Sequence, residues 1–368
     1  MPFEQPILAI GLMSGTSMDG VDCAIINTDG LSFVEPISSL TIPYPSKFRL
    51  ELSSIQAGYG AVDRIEQKLT NYHAKAVEIL LEKTNLEAKN ISLIGFHGHT
   101  ILHLPKERRT WQIGDAKLLA SLSKINVVAD FRSNDVSAGG QGAPLAPIFH
   151  AAIAPAKERP LCLVNIGGVA NITWIGKKNS NEMLNEFSNL LAFDTGPGNA
   201  LIDDWILSHY GKPFDCDGSI AASGFVNREC LDILMSNMYF KKNPPKSLGR
   251  DDFDVSCISA LSPADGAATL TEFSANAIKK AEYFLPDNPI KWIVTGGGRH
   301  NKFLMKLLKS KLNANVFRAE KVGLNGDSME AQAFAYLGVR SLRKLPLSGP
   351  TTTGVVSPIT GGKFYNAY

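Results

Sequence analysis

The first thirty residues constrain the fold most. Two apolar runs with strand character, residues 7–10 and 21–26, flank the stretch Gly11-Leu-Met-Ser-Gly-Thr-Ser-Met-Asp-Gly-Val-Asp22. Such spacing predicts a hairpin at the edge of a buried sheet. Gly11, Gly15 and Gly20 are expected to adopt backbone angles closed to other residues and to let main-chain N–H groups approach an anion. Ser14, Thr16 and Ser17 add hydroxyl donors. Asp19 and Asp22 would repel bare phosphate but suit a phosphate that arrives with Mg²⁺. No Gly-Lys-Ser/Thr closes the stretch, so it is not a P-loop. On composition a phosphate cradle and an ordinary Gly/Ser turn weigh evenly, because the same residues dominate turns.

The pattern recurs at mid-chain, where runs at 161–166 and 172–175 flank Gly167-Gly168. Further strand-like runs at 91–96, 127–129, 292–295 and 316–317 alternate with helical segments at 62–83, 267–285, 302–311 and 328–342. That rhythm is α/β. Two similar hairpins suggest an internal duplication, two half-domains facing each other across a cleft, although two hairpins also arise by chance in an α/β chain this long. A length of 368 residues favours two domains. Their expected limits are 1–132 plus 343–368 for the first and 133–342 for the second. The Gly- and Pro-rich stretch 130–147 serves as the crossover, with a helix opening at Pro144, and the chain after Leu345 is expected to be an irregular surface tail.

A net charge of +2 and the absence of a basic-aromatic stripe argue against a nucleic-acid partner. Five scattered cysteines without Cys-x-x-Cys spacing fit neither a disulfide framework nor a zinc site. The N-terminus lacks a secretory pattern and no apolar run is long enough to span a bilayer, so a cytoplasmic protein is expected. A homodimer would be ordinary for such a chain.

Four segments could carry chemistry. Phe193-Asp194-Thr-Gly-Pro-Gly-Asn199 places a carboxylate at the tip of a strand, where it would serve as a general base or metal ligand, or as a helix cap. The rigid Gly-Pro-Gly is more than a cap needs. His97, His99 and His103 crowd one strand end; no acidic or Cys residue beside them completes a metal shell, so hydrogen bonding to a substrate is the better reading. Gly296, Gly297 and Gly298 form a turn between a strand and a helix, where a base or phosphate could lie on bare backbone. Glu330 falls in the first turn of a helix, either offsetting its dipole or facing a cleft.

Taken together these segments resemble the anhydro-N-acetylmuramic acid kinases, of the sugar kinase, heat-shock ATPase and actin superfamily. The markers appear in that family's order from Gly11 to about Pro358: residues 11–22, His-Gly-x-Thr at 97–100, Gln-Ile-Gly-Asp at 112–115 and Asp-Phe-Arg at 130–132. Then come Gly-Gly-Gln-Gly-Ala-Pro-Leu at 139–145, Asn-Ile-Gly-Gly-Val-Ala-Asn at 165–171 and Asp-Thr-Gly-Pro-Gly-Asn at 194–199. Thr-Gly-Gly-Gly at 295–298 and Met-Glu-Ala-Gln-Ala-Phe-Ala at 329–335 close the series. One departure stands out: His99 occupies a position where Gln is expected.

The resemblance implies two duplicated ribonuclease H-like domains of the actin/hexokinase superfamily. It implies ATP and Mg²⁺ as cofactors and 1,6-anhydro-N-acetylmuramic acid as substrate, hydrolytically opened and phosphorylated to N-acetylmuramic acid 6-phosphate in peptidoglycan recycling. Asp194 matches the catalytic aspartate. Gly15, Thr16, Ser17, Met18, Asp19, Gly20, Val21 and Asp22 would hold phosphate, with Asp19 facing Mg²⁺; Gly167, Gly168, Gly296, Gly297 and Gly298 would line the nucleotide. Arg132 is the candidate for the lactyl carboxylate, and His97 and Glu330 for sugar hydroxyls. Closure of the two domains on substrate is expected, because water at the γ-phosphate would waste ATP. A plain sugar kinase, an ATP-gated binding protein of the actin and chaperone type, and a glycosidase are the competing readings.

Overall fold

Strand β1 (Ile7–Ser14) is buried along most of its length and hydrogen-bonded on both edges. A strand covered on both faces needs a near-continuous apolar run, and Ala9, Ile10 and Leu12 supply it. The protein was described from a computed structural model, which covers residues 5–15, 17–56, 58–177, 186–249 and 252–367. It divides into two compact units, Met1–Ile153 with Ser328–Tyr368, and Ala154–Asp327.

In the first unit β1 pairs antiparallel with β2 (Gly20–Thr28), which pairs antiparallel with β3 (Val34–Pro43). On its other edge β1 runs parallel to β4 (Leu93–Leu104). β4 carries the short antiparallel β5 (Arg109–Ile113) and runs parallel to β6 (Val127–Ala129). In the second unit β7 (Leu161–Ile166), β8 (Val169–Ile175) and β9 (Leu190–Pro197) repeat the antiparallel meander. There β10 (Lys291–Thr295) lies parallel to β7, and β11 (Asn315–Arg318) lies parallel to β10. The five-strand orders β3-β2-β1-β4-β6 and β9-β8-β7-β10-β11 therefore match, each an antiparallel meander of three strands followed by two parallel ones, with β5 as an addition to the first sheet. This shared topology is the ribonuclease H-like fold, and its recurrence establishes the duplication that the sequence left open.

Two glycines seat the main helix of the first unit. Gly11 and Gly95 are partners in the β1 and β4 register. A Cβ at Gly11 would lie 1.8 Å from the Ala331 carbonyl oxygen, and one at Gly95 1.9 Å from that of Phe334. The helix Met329–Leu342 thus rests on bare sheet backbone, while Val62–Thr84 contributes Ile65, Leu69, Val77 and Leu80 to a core with Ile10, Leu12 and Ile25. In the second unit the helix Pro263–Lys280 is capped by Ser262, whose Oγ accepts from the Asp265 N–H at 3.2 Å. Its Phe273 and Ala277 pack with Ile202, Ile206 and Phe240.

Several expectations change. The seating of Met329–Leu342 on β1 and β4 makes it part of the first unit, so the units change over at 153/154 and 327/328 rather than at 132/133 and 342/343. The helix expected to open at Pro144 opens at Pro147. The chain after Leu345, expected to be irregular and on the surface, is irregular for most of its length but ends in β12 (Lys363–Tyr365) on the edge of β6. Ser348 and Thr353 are buried there, donating hydrogen bonds to the buried carboxylate of Asp135. Among the described residues no helix is long and apolar enough to cross a membrane.

Candidate active site

In the first unit the loop between β1 and β2 turns at Met18, whose φ is 53° and whose N–H donates to the Gly15 carbonyl at 3.0 Å. The special backbone angles expected of the loop glycines are not found. None of Gly11, Gly15 and Gly20 has a positive φ; Gly11 and Gly20 are required by close backbone contact, Gly20 with the Ile42 carbonyl at 2.3 Å from a notional Cβ. Asp19 is exposed and accepts from Ser17 Oγ at 2.8 Å, and Asp22 accepts from Thr41 Oγ1 at 2.5 Å. Val21 is fully buried, so only its backbone can face a ligand. Thr16 lies outside the described residues.

Gly98, with φ at 73°, breaks the alternation of β4 and sends the two flanking histidines to different partners. His97 holds Arg132: its Nε2 lies 3.1 Å from Arg132 Nε and 3.0 Å from Nη2. A guanidinium only donates, so Nε2 accepts, the ring proton is on Nδ1, and that N–H donates to the Gly98 carbonyl at 3.0 Å. Both nitrogens of His97 are spent within the protein. Burial, with the Arg132 charge beside it, holds the imidazole neutral. Arg132 Nη1 donates to the Gly142 carbonyl at 2.6 Å, and the Gly142 N–H in turn donates to Asp135 Oδ1 at 2.6 Å. Of five guanidinium N–H groups two have no partner among the described residues. Burial lowers Arg132 to about 10, opposed by Glu330 and Asp135, so it stays charged at neutral pH. Glu330 is in the first turn of its helix, as expected, and exposed; the surrounding protein raises its carboxyl, with Arg132 pulling the other way and Asp19 adding to the rise.

In the second unit Asp194 is inside β9 rather than at its tip, opposite Asn171 at a slip in register with β8. The slip matters because it releases its backbone from the ladder to other partners. The Asp194 N–H donates to the Lys246 carbonyl at 3.1 Å, and its carbonyl accepts from Tyr239 Oη at 2.5 Å. Oδ2 accepts from the Leu248 N–H at 2.9 Å, and Oδ1 has no hydrogen-bond partner among the described residues. Burial outweighs that single N–H and lifts the carboxyl from 3.8 to about 7. Lys246 backs this segment, with Nζ 5.5, 4.7 and 4.2 Å from the ring centres of Phe193, Tyr239 and Phe284; burial lowers it to about 8. Neither Tyr239 nor Lys246 carries a local sequence signal.

The Gly167-Gly168 turn is tied to the Asp194 segment, its carbonyls accepting from the Asn199 and Gly198 N–H groups at 2.7 and 2.9 Å. Asn199 Nδ2 reaches the Ile166 carbonyl at 3.2 Å, and a Cβ at Gly298 would lie 2.4 Å from Ile166 Cγ2. The three small-residue turns of the second unit therefore meet at one end of its sheet. Gly15, Gly167, Gly168 and Gly297 have no positive φ and leave a notional Cβ at least 3.5 Å from any neighbour. Neither conformation nor packing demands glycine there. All four lie in the turns expected to hold phosphate and nucleotide, and bare backbone at those points is what a close-lying phosphate or base requires. For Mg²⁺ the donor set is thin: no group of three His, Cys, Asp or Glu is placed to hold a metal among the described residues. A hard cation carried by phosphate oxygens and water needs only one or two carboxylates, and exposed Asp19 fits that demand.

Similar proteins are known along nearly the whole chain. Residues 7–367 match the family model described as anhydro-N-acetylmuramic acid kinase. A relative of that name from Paramagnetospirillum magneticum is 49% identical, over 98% of this chain and 99% of its own length. One from Rhizorhabdus wittichii is 46% identical, over 97% and 98%. Among solved structures, a xylulose kinase from Lactobacillus acidophilus superposes with a TM-score of 0.46 at 11% identity, covering 98% of this chain and 93% of that one. The chain belongs to the anhydro-N-acetylmuramic acid kinase family.

Proposed function

We propose that the protein uses ATP to open 1,6-anhydro-N-acetylmuramic acid with water and phosphorylate the freed O6, giving N-acetylmuramic acid 6-phosphate and ADP. Asp194 is the catalytic base. It takes a proton from water as the water oxygen bonds to the anomeric carbon; the C1–O6 bond breaks, and O6 takes the γ-phosphoryl group of ATP, with ADP as the leaving group. The observation that carries this is a carboxylate with one free oxygen and a proton affinity near neutrality, matched to a base working at physiological pH.

Phosphoryl transfer calls for positioning and charge neutralisation rather than covalent help. Gly15 and the backbone up to Asp22 would cradle the phosphates. Gly167, Gly168 and Gly296 to Gly298 would line the nucleotide, with the clear space at Gly15, Gly167, Gly168 and Gly297 as the support for this reading. Mg²⁺, met by Asp19 or through its waters, would offset the charge gathering on the phosphates. The two spare N–H groups of Arg132 suit the lactyl carboxylate of the sugar. His97 enters as the residue that orients Arg132, since its own nitrogens are spent, and Glu330 as a partner for a sugar hydroxyl. The cytoplasm, where ATP is available, is the proposed compartment.

Turnover in ¹⁸O-labelled water tests the proposal. Label on C1 of the product is expected, and unlabelled product would leave a plain sugar kinase in which Asp194 deprotonates a hydroxyl.

A further inference from the structure

Ser14 ends β1, immediately before the phosphate loop, and its buried hydroxyl meets two side chains. Tyr44 Oη donates to Ser14 Oγ at 2.9 Å, and His99 Nδ1 lies 3.1 Å from the same oxygen. The protonation of His99 follows from its other side. Gln56 Nε2 is 3.3 Å from both His99 Nε2 and the Thr100 carbonyl oxygen. A carbonyl can only accept, so the Gln56 amide nitrogen faces this corner and donates, and His99 Nε2 accepts. Burial holds the ring neutral, its single proton is therefore on Nδ1, and Nδ1–H donates to Ser14. Tyr44 also reaches the far end of the loop: its backbone N–H donates to the Asp19 carbonyl at 2.9 Å. Burial, with Asp22 and Asp19 nearby, keeps its phenol protonated and hence a donor. Its ring packs edge-on against Phe48 and Tyr72, at 5.1 and 5.4 Å between centres.

We propose that Tyr44 and His99 are positioning residues for the phosphate loop, fixing its two ends, Ser14 and Asp19, at the spacing that MgATP needs. His99, oriented by Gln56, does the part for which Gln is expected at this position. The proposal rests on the reading of Gly15 to Asp22 as the phosphate side of the site. It concerns ATP and not the sugar, and that separation makes it testable. Leucine at position 99 fills the ring's space without a donor. Glutamine offers an amide N–H that can reach Ser14 Oγ.

The experiment compares wild type, H99L, H99Q, Y44F and Q56L. It measures KM for MgATP and for the anhydro-sugar, and calorimetric binding of the Mg²⁺ complex of a non-hydrolysable β,γ-imido ATP analogue. Loss of a buried donor is expected to raise KM and Kd on the nucleotide side roughly tenfold in H99L. The sugar KM should stay within about twofold, and H99Q should recover most of the loss. Y44F, which keeps the backbone bond to Asp19, should fall between. Q56L changes an exposed residue and is expected to fold; nitrogen NMR of its His99 ring should show both tautomers where wild type shows only Nδ1–H. It therefore keeps the test alive if H99L fails to fold. Unchanged nucleotide binding in H99L, an equal rise in both KM values, no recovery in H99Q, or a single unchanged tautomer in Q56L would each overturn the proposal. If wild type itself does not bind the analogue, the phosphate-loop reading falls and takes the proposal with it; normal binding by wild type and H99L alike overturns the proposal alone.

Discussion

Replacing Asp194 with Asn should inactivate the enzyme and stabilise it, and the stabilisation should depend on pH in a calculable way. Asn keeps an oxygen for the Leu248 N–H but cannot ionise. In the fold the Asp194 carboxyl is lifted from 3.8 to about 7 by burial. A group raised in this way favours folding below its unfolded value and loses that contribution as pH climbs through its folded one. At about 1.4 kcal/mol for each tenfold change in proton affinity, the ionised form costs up to about 4 kcal/mol above neutrality. The side chain keeps some solvent contact, which halves this to roughly 2 kcal/mol. In a domain of this size that corresponds to a Tm about 4–8 °C higher for D194N at pH 8. At pH 5.5, midway through the titration window, about half of that gain should remain. Scanning calorimetry of both proteins at the two pH values measures it. Wild-type kcat/KM should correspondingly fall below pH 7, by about tenfold per pH unit beneath pH 6, because only the ionised base is active. A Tm gain of the same size at both pH values, together with a flat rate profile from pH 5.5 to 8, would refute the claim that burial tunes this carboxylate.

Further substitutions separate the roles of the two glycine classes and of the charged groups. G167A should fold normally, gaining about 0.4–1 kcal/mol from a stiffer unfolded chain, yet raise KM for ATP, whereas G95A should lose several kcal/mol because its Cβ meets the Phe334 carbonyl; chemical denaturation and steady-state kinetics together decide it. R132K should raise the sugar KM about tenfold or more, since lysine cannot hold His97, Gly142 and a carboxylate at once, while an analogue without the lactyl group should show little difference between the two proteins. D19A should lower kcat more than it weakens sugar binding, and the deficit should shrink as Mg²⁺ is raised in the assay.

The parts of the site that were legible in the sequence are the local ones. A Gly- and Ser-rich loop between apolar runs, an Asp before Gly-Pro-Gly, and an acid in a helix's first turn each announce themselves within a dozen residues. The missed elements lack a clean local pattern. β3 carries Pro36, Ser38 and Ser39 and is mostly exposed or half-buried, as an edge strand is, so no apolar alternation marks it. β5, Arg-Thr-Trp-Gln-Ile, buries only Ile113 and reads as a loop. Tyr44, Gln56, Tyr239 and Lys246 reach the candidate residues from far along the chain, and no spacing rule connects them. The limits of the units were hidden for the same reason: only packing reveals that Met329–Leu342 belongs with β1 and β4. The glycines carry the lesson furthest. In sequence, Gly11, Gly15, Gly95 and Gly167 look alike, each a small residue beside an apolar run. Gly11 and Gly95 are consumed by helix contact, while Gly15 and Gly167 have room for a Cβ at ordinary contact distance and ordinary backbone angles. Gly15, Gly167, Gly168 and Gly297 are explained by neither a positive φ nor a close contact, and all four fall on turns expected to meet the phosphates and nucleotide. The fold thus accounts for most of its own glycines, and G15A and G167A, which leave backbone angles and packing intact, test whether the remainder serves a ligand.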